Sequence, residues 1–237
     1  MTNMNPNATE PTVLASPRHG SSSQFVAEQL REAILRGEYP PNSRIRQEDL
    51  AARFGASRVP VREALRTLEA EGLVTLVANT GAWVRGLSLA ECEEIYQIRE
   101  RIEPLLLRYS IPNLQNNEDV LFQLKALCGE MEERSRLEEF LHLDREFHLL
   151  TYSGANTTLL GDLTQQLWDR TQHYRRAYTS RVDPTSRRIL HDEHHMLVAA
   201  IRDGDPDQAD RVLTGHIQRT RHQLARHPEI FDHPVGI

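Results

Sequence analysis

Asp144 and His148 stand four residues apart, a spacing that puts an oxygen donor and a nitrogen donor on one face of a helix. Their neighbours Phe140, Leu141, Leu143, Phe147, Leu149 and Leu150 make that helix apolar nearly all round. The carboxylate is therefore expected to be at least partly buried and to need a compensating partner. His194 lies on the stripe of Leu190, Leu197, Val198 and Ile201, and His216 on that of Ala209, Val212, Leu213 and Ile217. Three helices thus each place a metal-competent group on a core-facing stripe. One carboxylate and three imidazoles suit a divalent ion, Zn, Ni, Mn or Fe, with zinc the first choice. Each histidine alone reads more readily as hydrogen-bonded core than as a ligand, and spacing by itself does not make three helices converge. His191 and His195, at i and i+4, are a rival chelating pair; His194 is preferred for its place on the apolar stripe. Arg99 lies beside Ile95, Ile98 and Ile102 and could receive a ligand carboxylate bidentately, or pair with Glu103 one turn on at the helix surface.

A second group of residues suits a different chemistry. Arg58, Arg62 and Arg66 recur every four residues behind Ser57, whose hydroxyl is expected to cap the helix, with Pro60 in its first turn and Ala64, Leu65 and Leu68 on the opposite side. A short helix carrying a row of guanidinium groups, with small and apolar residues behind them, is what a major-groove reader requires. A solvated charged face would look the same, so the flanking elements decide.

The elements around it are readable. Residues 1–20 are rich in Asn, Pro, Thr and Ser without periodicity and read as a disordered arm. Ser21–Gly37 is a helix with Phe25, Val26, Leu30, Ala33 and Ile34 as its stripe; Arg44-Ile45 is a brief strand, and Gln47–Phe54 a helix closed by Gly55. The arginine-bearing helix follows to about Glu71, which makes a helix-turn-helix. Leu73–Val77 and Ala82–Arg85 then alternate around Asn79-Thr80-Gly81, a hairpin that makes the unit a winged helix. The wing tip, Asn79, Thr80 and Gly81, is placed to touch the minor groove or sugar-phosphate.

From Leu87 onward every segment reads helical. The expected helices are Ser88 to about Ser110 with a kink at Pro104, Asn117–Ser135, Leu137–Tyr152, a longest one from Asn156 or Thr157 to Ser180, Thr185–Arg202, and a last one to about His227. Six antiparallel helices on short loops make a bundle. The fold class is mainly α, an N-terminal winged helix-turn-helix (21–86) followed by a six-helix bundle (87–230).

Composition fits this division. Residues 1–86 carry ten arginines, no lysine and nine acids, a net +1; the remainder carries 17 arginines, one lysine and 25 acids, a net -7, so the acidity behind the overall -6 resides in the second part. The two cysteines, Cys92 and Cys128, lack metal-finger spacing and fit a reducing compartment. No apolar run reaches membrane-spanning length and no secretory signal is visible, so a cytoplasmic protein with no membrane partner is expected.

The run Leu50-Ala51-Ala52-Arg53-Phe54-Gly55-Ala56-Ser57-Arg58-Val59-Pro60-Val61-Arg62-Glu63-Ala64-Leu65, then Leu68-Glu69-Ala70-Glu71-Gly72-Leu73-Val74 and Gly81, resembles the GntR family of transcriptional regulators. Downstream, Arg99 with Glu103, Asp144-x-x-x-His148, Ser153-Gly154-x-Asn156, His194 and His216 resemble, in order, the FCD ligand-binding domain of its FadR subfamily, in the shorter VanR-like group. The resemblance covers about residues 21–227. It implies a homodimer on a pseudo-palindromic double-stranded operator, with Arg58 and Arg62 at guanine edges and phosphates and Arg44 at the backbone. Val59, where the family has a small polar residue, could alter base preference; Ser57 and Arg66 complete the DNA-facing set. It also implies a divalent metal held by Asp144, His148, His194 and His216, and a small organic acid as effector near that metal, Arg99 and Asn156. The expected function is thus a non-enzymatic, repressor-type regulator of transcription. Two other readings share the residues: a metalloenzyme fused to a DNA-binding domain, against which no general base or nucleophile is evident, and an architectural DNA binder without a ligand.

Overall fold

The computed structural model describes residues 19–78, 81–133 and 136–232. Among the described residues the chain forms nine α-helices and three short strands: α1 (His19–Leu35), β1 (Arg44–Ile45), α2 (Gln47–Phe54), α3 (Arg58–Ala70), β2 (Val74–Val77), β3 (Gly81–Val84), α4 (Leu89–Leu114), α5 (Glu118–Glu133), α6 (Leu137–Tyr152), α7 (Leu160–Thr179), α8 (Pro184–Arg202) and α9 (Pro206–Ala225), with a 3₁₀ turn at Pro228–Phe231. The fold is a winged helix-turn-helix followed by a six-helix bundle.

In the first unit, Val26, Leu30 and Ile34 of α1 pack with Leu50 of α2 and Val61, Ala64, Leu65 and Leu68 of α3. The antiparallel sheet has the order β1-β3-β2, with Thr75 opposite Trp83 and Val77 opposite Gly81. Gly55 ends α2 in the left-handed region (φ 60°), which lets α3 start three residues later, at Arg58, at an angle to it. Three local expectations are corrected here. The first helix begins at His19, inside the stretch read as an arm; residues 1–18 lie outside the described residues. Phe25 is 51 % exposed, because Val26, Ala27 and Leu30 turn to the core and leave the preceding position on the flank. Ser57 stands at the N-cap of α3 in extended conformation, but its hydroxyl makes no capping hydrogen bond.

The bundle has its own core, in which α4 packs along α9 and α5 along α6. A capping box joins Ser88 and Glu91 at the start of α4, and Asp183 and Asp205 cap α8 and α9 ahead of Pro184 and Pro206. The longest helix is α4, with 26 residues, rather than α7. It continues through Pro104 and Pro112, past its expected end at Ser110, because Leu106, Leu107, Ile111 and Leu114 keep the same face buried. The fourth bundle helix starts only at Leu160, after a turn in which Thr157 Oγ1 accepts from Gly161 N–H. Gly154, in the preceding loop, is demanded by close approach: a Cβ there would lie 2.5 Å from the carbonyl of Ser110, while its own N–H donates to Ser110 Oγ at 2.9 Å.

Candidate functional site

Inside the bundle, α6 brings Asp144 and His148, α8 brings His194 and α9 brings His216; all four are buried. One nitrogen from each histidine lies within 4.8 Å of the others. The ring centroids are separated by 5.0–5.3 Å. The carboxylate of Asp144 lies beside two of them, with Oδ1 3.5 Å from His194 Nε2 and Oδ2 4.0 Å from His148 Nε2. Among the described residues, neither ring nitrogen of His148 or His194, and neither oxygen of Asp144, finds a hydrogen bond of normal geometry. Six buried polar atoms left without one are costly in an ordinary core. Burial, reinforced by the neighbouring imidazoles, holds His148 neutral far below the ordinary histidine range; burial likewise depresses His194 to about 3, against the opposing pull of Asp144. Neutral imidazole is the form that ligates metals.

Glu193, the residue before His194, orients the third histidine. Its Oε2 lies 3.0 Å from His216 Nδ1, and its other oxygen pairs with Arg219. A carboxylate behind one ring nitrogen fixes the tautomer and leaves the other nitrogen to the cluster. His191 and His195 lie apart: His191 packs edge-on against Phe140, and His195, 51 % exposed, pairs with Glu132 at 2.7 Å.

Two arginines border the cluster, both over the ring of Trp168 on α7, Arg99 at 4.4 Å and Arg175 at 4.9 Å. Arg99 is buried, not at the surface. It donates through Nε to Glu103 at 2.5 Å and through Nη1 to Thr171 at 3.1 Å. Glu103 also accepts from Tyr152 Oη at 2.7 Å and Trp168 Nε1 at 3.0 Å, so this pair is fully engaged internally. Arg175 forms an ion pair with Asp144 through Nη2, while its buried Nη1 has no hydrogen-bond partner among the described residues. Asn156 is exposed in the α6–α7 loop, outside the cluster. Sequence reasoning missed Trp168, Arg175 and Glu193. The signal that could have found the first two is their spacing with Thr171, at i, i+3 and i+7 on α7.

In the winged helix, Pro60, Val61, Ala64, Leu65 and Leu68 bury one side of α3. The opposite side presents Arg58, Arg62 and Arg66, with side chains 78 %, 57 % and 58 % exposed, beside exposed Ser57 and Val59. Their acidic partners, Glu48 at 3.8 Å and Glu63 at 4.0 and 3.1 Å, hold them only as surface pairs. An open groove of about 440 Å³ runs between α3 and the sheet, lined by Arg44, Arg46, Arg62, Arg66 and Gly81. Arg46 was not singled out in the sequence; its position just before α2 turns it into this groove. Gly81 has φ 113°; Asn79 and Thr80 lie outside the described residues.

One helix touches both regions. While Trp168, Thr171 and Arg175 of α7 face the cluster, Arg176 donates to the carbonyl of Leu35 at the end of α1 (2.9 Å) and pairs with Glu138. Arg170 packs against Gly72 just beyond α3, where a Cβ would lie 3.3 Å from its side chain. The hydroxyl of Tyr174 accepts from Leu87 N–H at 2.5 Å and donates to Leu87 C=O at 3.2 Å, fixing the segment that joins β3 to α4.

Comparison with known proteins agrees with this architecture. Residues 22–84 match the family "Bacterial regulatory proteins, gntR family", and residues 94–219 match the FCD domain. The chain belongs to the gntR family of bacterial regulators and carries an FCD domain: it is a DNA-binding transcriptional regulator rather than an enzyme. The Nta operon transcriptional regulator of Aminobacter aminovorans is 29 % identical over 78 % of this chain and 86 % of that protein. The HTH-type transcriptional repressor RspR of Escherichia coli is 27 % identical over 83 % of this chain and 86 % of that protein. E. coli McbR/YncC shares the fold, with a TM-score of 0.77 and 23 % identity over 87 % of this chain and 98 % of that one. Among the described residues no helix is long and apolar enough to cross a membrane.

Proposed function

We propose that this regulator binds a pseudo-palindromic operator as a homodimer, in the cytoplasm, and represses transcription until a small organic acid binds its bundle. The recognition helix would read the major groove through Arg58 and Arg62, with Ser57 and Val59 beside them and Arg66, Arg44 and Arg46 on the phosphates. The wing at Asn79, Thr80 and Gly81 would reach the minor groove. Two-fold symmetry of the dimer would then be matched by two half-sites. Repression is the activity carried in the name of the RspR relative.

The donor set fits a divalent cation, zinc first. Neutral, hydrogen-bond-orphaned His148 and His194, together with His216 aimed by Glu193, would hold it, with Asp144 available as an oxygen ligand. A bound cation would supply a Lewis-acidic point for the carboxylate of the effector. The residues themselves do the rest: the bundle excludes water, Trp168 supports the guanidinium groups, and α7 carries any displacement to Leu35, Gly72 and Leu87. The observation that carries the regulatory reading is this last one. A single helix bears Arg175 at the cluster, Arg170 and Arg176 on the DNA-binding unit, and Tyr174 on the joining segment at Leu87. The effector can shift operator affinity only by its differential affinity for the two arrangements. The test is operator binding by fluorescence anisotropy, at fixed salt, with zinc-loaded protein across a panel of small organic acids. A member of the panel is expected to change operator affinity; operator binding that ignores every acid and zinc alike would refute the regulatory reading.

A further inference from the structure

The bundle contains two buried arginine–carboxylate pairs around Trp168, and only one of them is complete. Glu103 accepts from Arg99, Tyr152 and Trp168. Asp144, by contrast, has no well-formed hydrogen bond on either oxygen among the described residues, and Arg175, only 7 % exposed, leaves Nη1 without a hydrogen-bond partner among them. A buried ion pair retained for stability is expected to be bidentate with its remaining donors satisfied; an incomplete one costs more than it returns. The free Nη1 and the engaged Nη2 are the two prongs of a fork that a second carboxylate would fill. The planar guanidinium is already supported on the Trp168 ring.

We propose that Arg175 is the anion receptor of this domain, and that Asp144 occupies it as a tethered stand-in for the ligand's carboxylate. Asp144 lies between two claims, Arg175 on one side and the nitrogens of His148 and His194 on the other. When it turns toward the histidines to share a cation, Arg175 loses its internal partner and both prongs open to an external carboxylate. Cation and anion then bind with positive coupling, and the coupling is reciprocal. This rests on the proposed cation site only for the coupling; the identity of the receptor stands on Arg175 itself. It also moves the anchor from Arg99, which Glu103 and Thr171 already hold, to α7, the helix in contact with the DNA-binding unit.

The test uses sodium acetate as probe, titrated into the full chain and followed by calorimetry against sodium chloride at matched ionic strength. Metal-stripped and zinc-loaded forms of wild type, Asp144→Asn, Arg175→Met and Arg175→Lys are compared. In wild type, zinc is expected to tighten acetate binding at least about fivefold, the lower end of usual coupling between sites. Metal-stripped Asp144→Asn, its receptor released, is expected to bind acetate more tightly than metal-stripped wild type. Arg175→Met is expected to lose saturable acetate binding in the metal-stripped form and to bind acetate much more weakly than wild type in the zinc-loaded form, while holding zinc at least as tightly as wild type, since a competing cation has gone. Arg175→Lys keeps the charge without the fork and is expected to bind acetate weakly. Wild-type acetate affinity in zinc-loaded Arg175→Met, or no gain in metal-stripped Asp144→Asn, overturns the proposal. So does a joint loss of zinc and acetate in folded Arg175→Lys, which would make Arg175 a structural support. A wild type that takes up no zinc refutes the cation site and the coupling, and the metal-stripped Asp144→Asn titration then decides the receptor.

Discussion

Replacing Glu193 with Gln alters one charge behind the histidine cluster and little else. The side chain keeps its size, and its amide oxygen can still accept from His216 Nδ1, now at 3.0 Å from Oε2. What disappears is the negative charge that favours the Nδ1–H tautomer and makes Nε2 a stronger donor to a metal. Arg219 loses its counter-ion at the same time, and Glu193 is buried, so the loss is not screened by water. Outer-shell losses of this kind cost about 10- to 100-fold in metal affinity, equivalent to about 1.4–2.8 kcal/mol. The assay is competition for zinc with a chromogenic chelator at neutral pH. Glu132→Gln is the matched control, because Glu132 of α5 makes the same type of pair with His195 of α8 but at the exposed surface, away from the cluster. We expect weaker zinc binding for Glu193→Gln and wild-type binding for Glu132→Gln. Equal zinc affinity in all three proteins would refute the argument that His216 is aimed by Glu193.

Other consequences are as specific. Arg62→Ala is expected to weaken operator binding by about 1–3 kcal/mol and relax preference at one base pair, measured by anisotropy at fixed salt; unchanged affinity would remove α3 as the reader. Arg176→Gln is expected to keep operator and zinc affinity but to reduce the effect of any active organic acid on operator binding, because the bond from α7 to Leu35 is lost. Undiminished response would show that α7 is not the route. Gly154→Ala puts a Cβ 2.5 Å from a backbone carbonyl of α4. It is expected to cost about 1–3 kcal/mol, read as a fall in Tm by calorimetry; an unshifted Tm would mean that the loop moves freely off α4.

The recognition helix was legible because its information is local: cap position, proline, arginine period and apolar face all occur within a dozen residues. The pairing of Asp144 with His148 was legible for the same reason. Arg99 was harder, since its choice between ligand and core depends on Tyr152 from α6 and on Trp168 and Thr171 from α7 closing around Glu103 and the guanidinium. Arg175 was invisible for the converse reason: nothing near it in sequence says that Asp144, on α6, will come against it. The end expected for α4, at Ser110, falls too early, because burial of Ile111 and Leu114 carries the helix on through Pro112. Phe25 misled because hydrophobicity was counted without asking which of two adjacent apolar residues faces inward.

The measurement closest to the central claim is zinc stoichiometry and affinity by equilibrium dialysis of metal-stripped wild type and His194→Gln. His194 is fully buried and central to the cluster. One tightly held zinc per chain in wild type, lost or greatly weakened in a folded His194→Gln, is the predicted result. No stoichiometric zinc in wild type, or the same affinity in both proteins, would contradict a cation site at His148, His194 and His216.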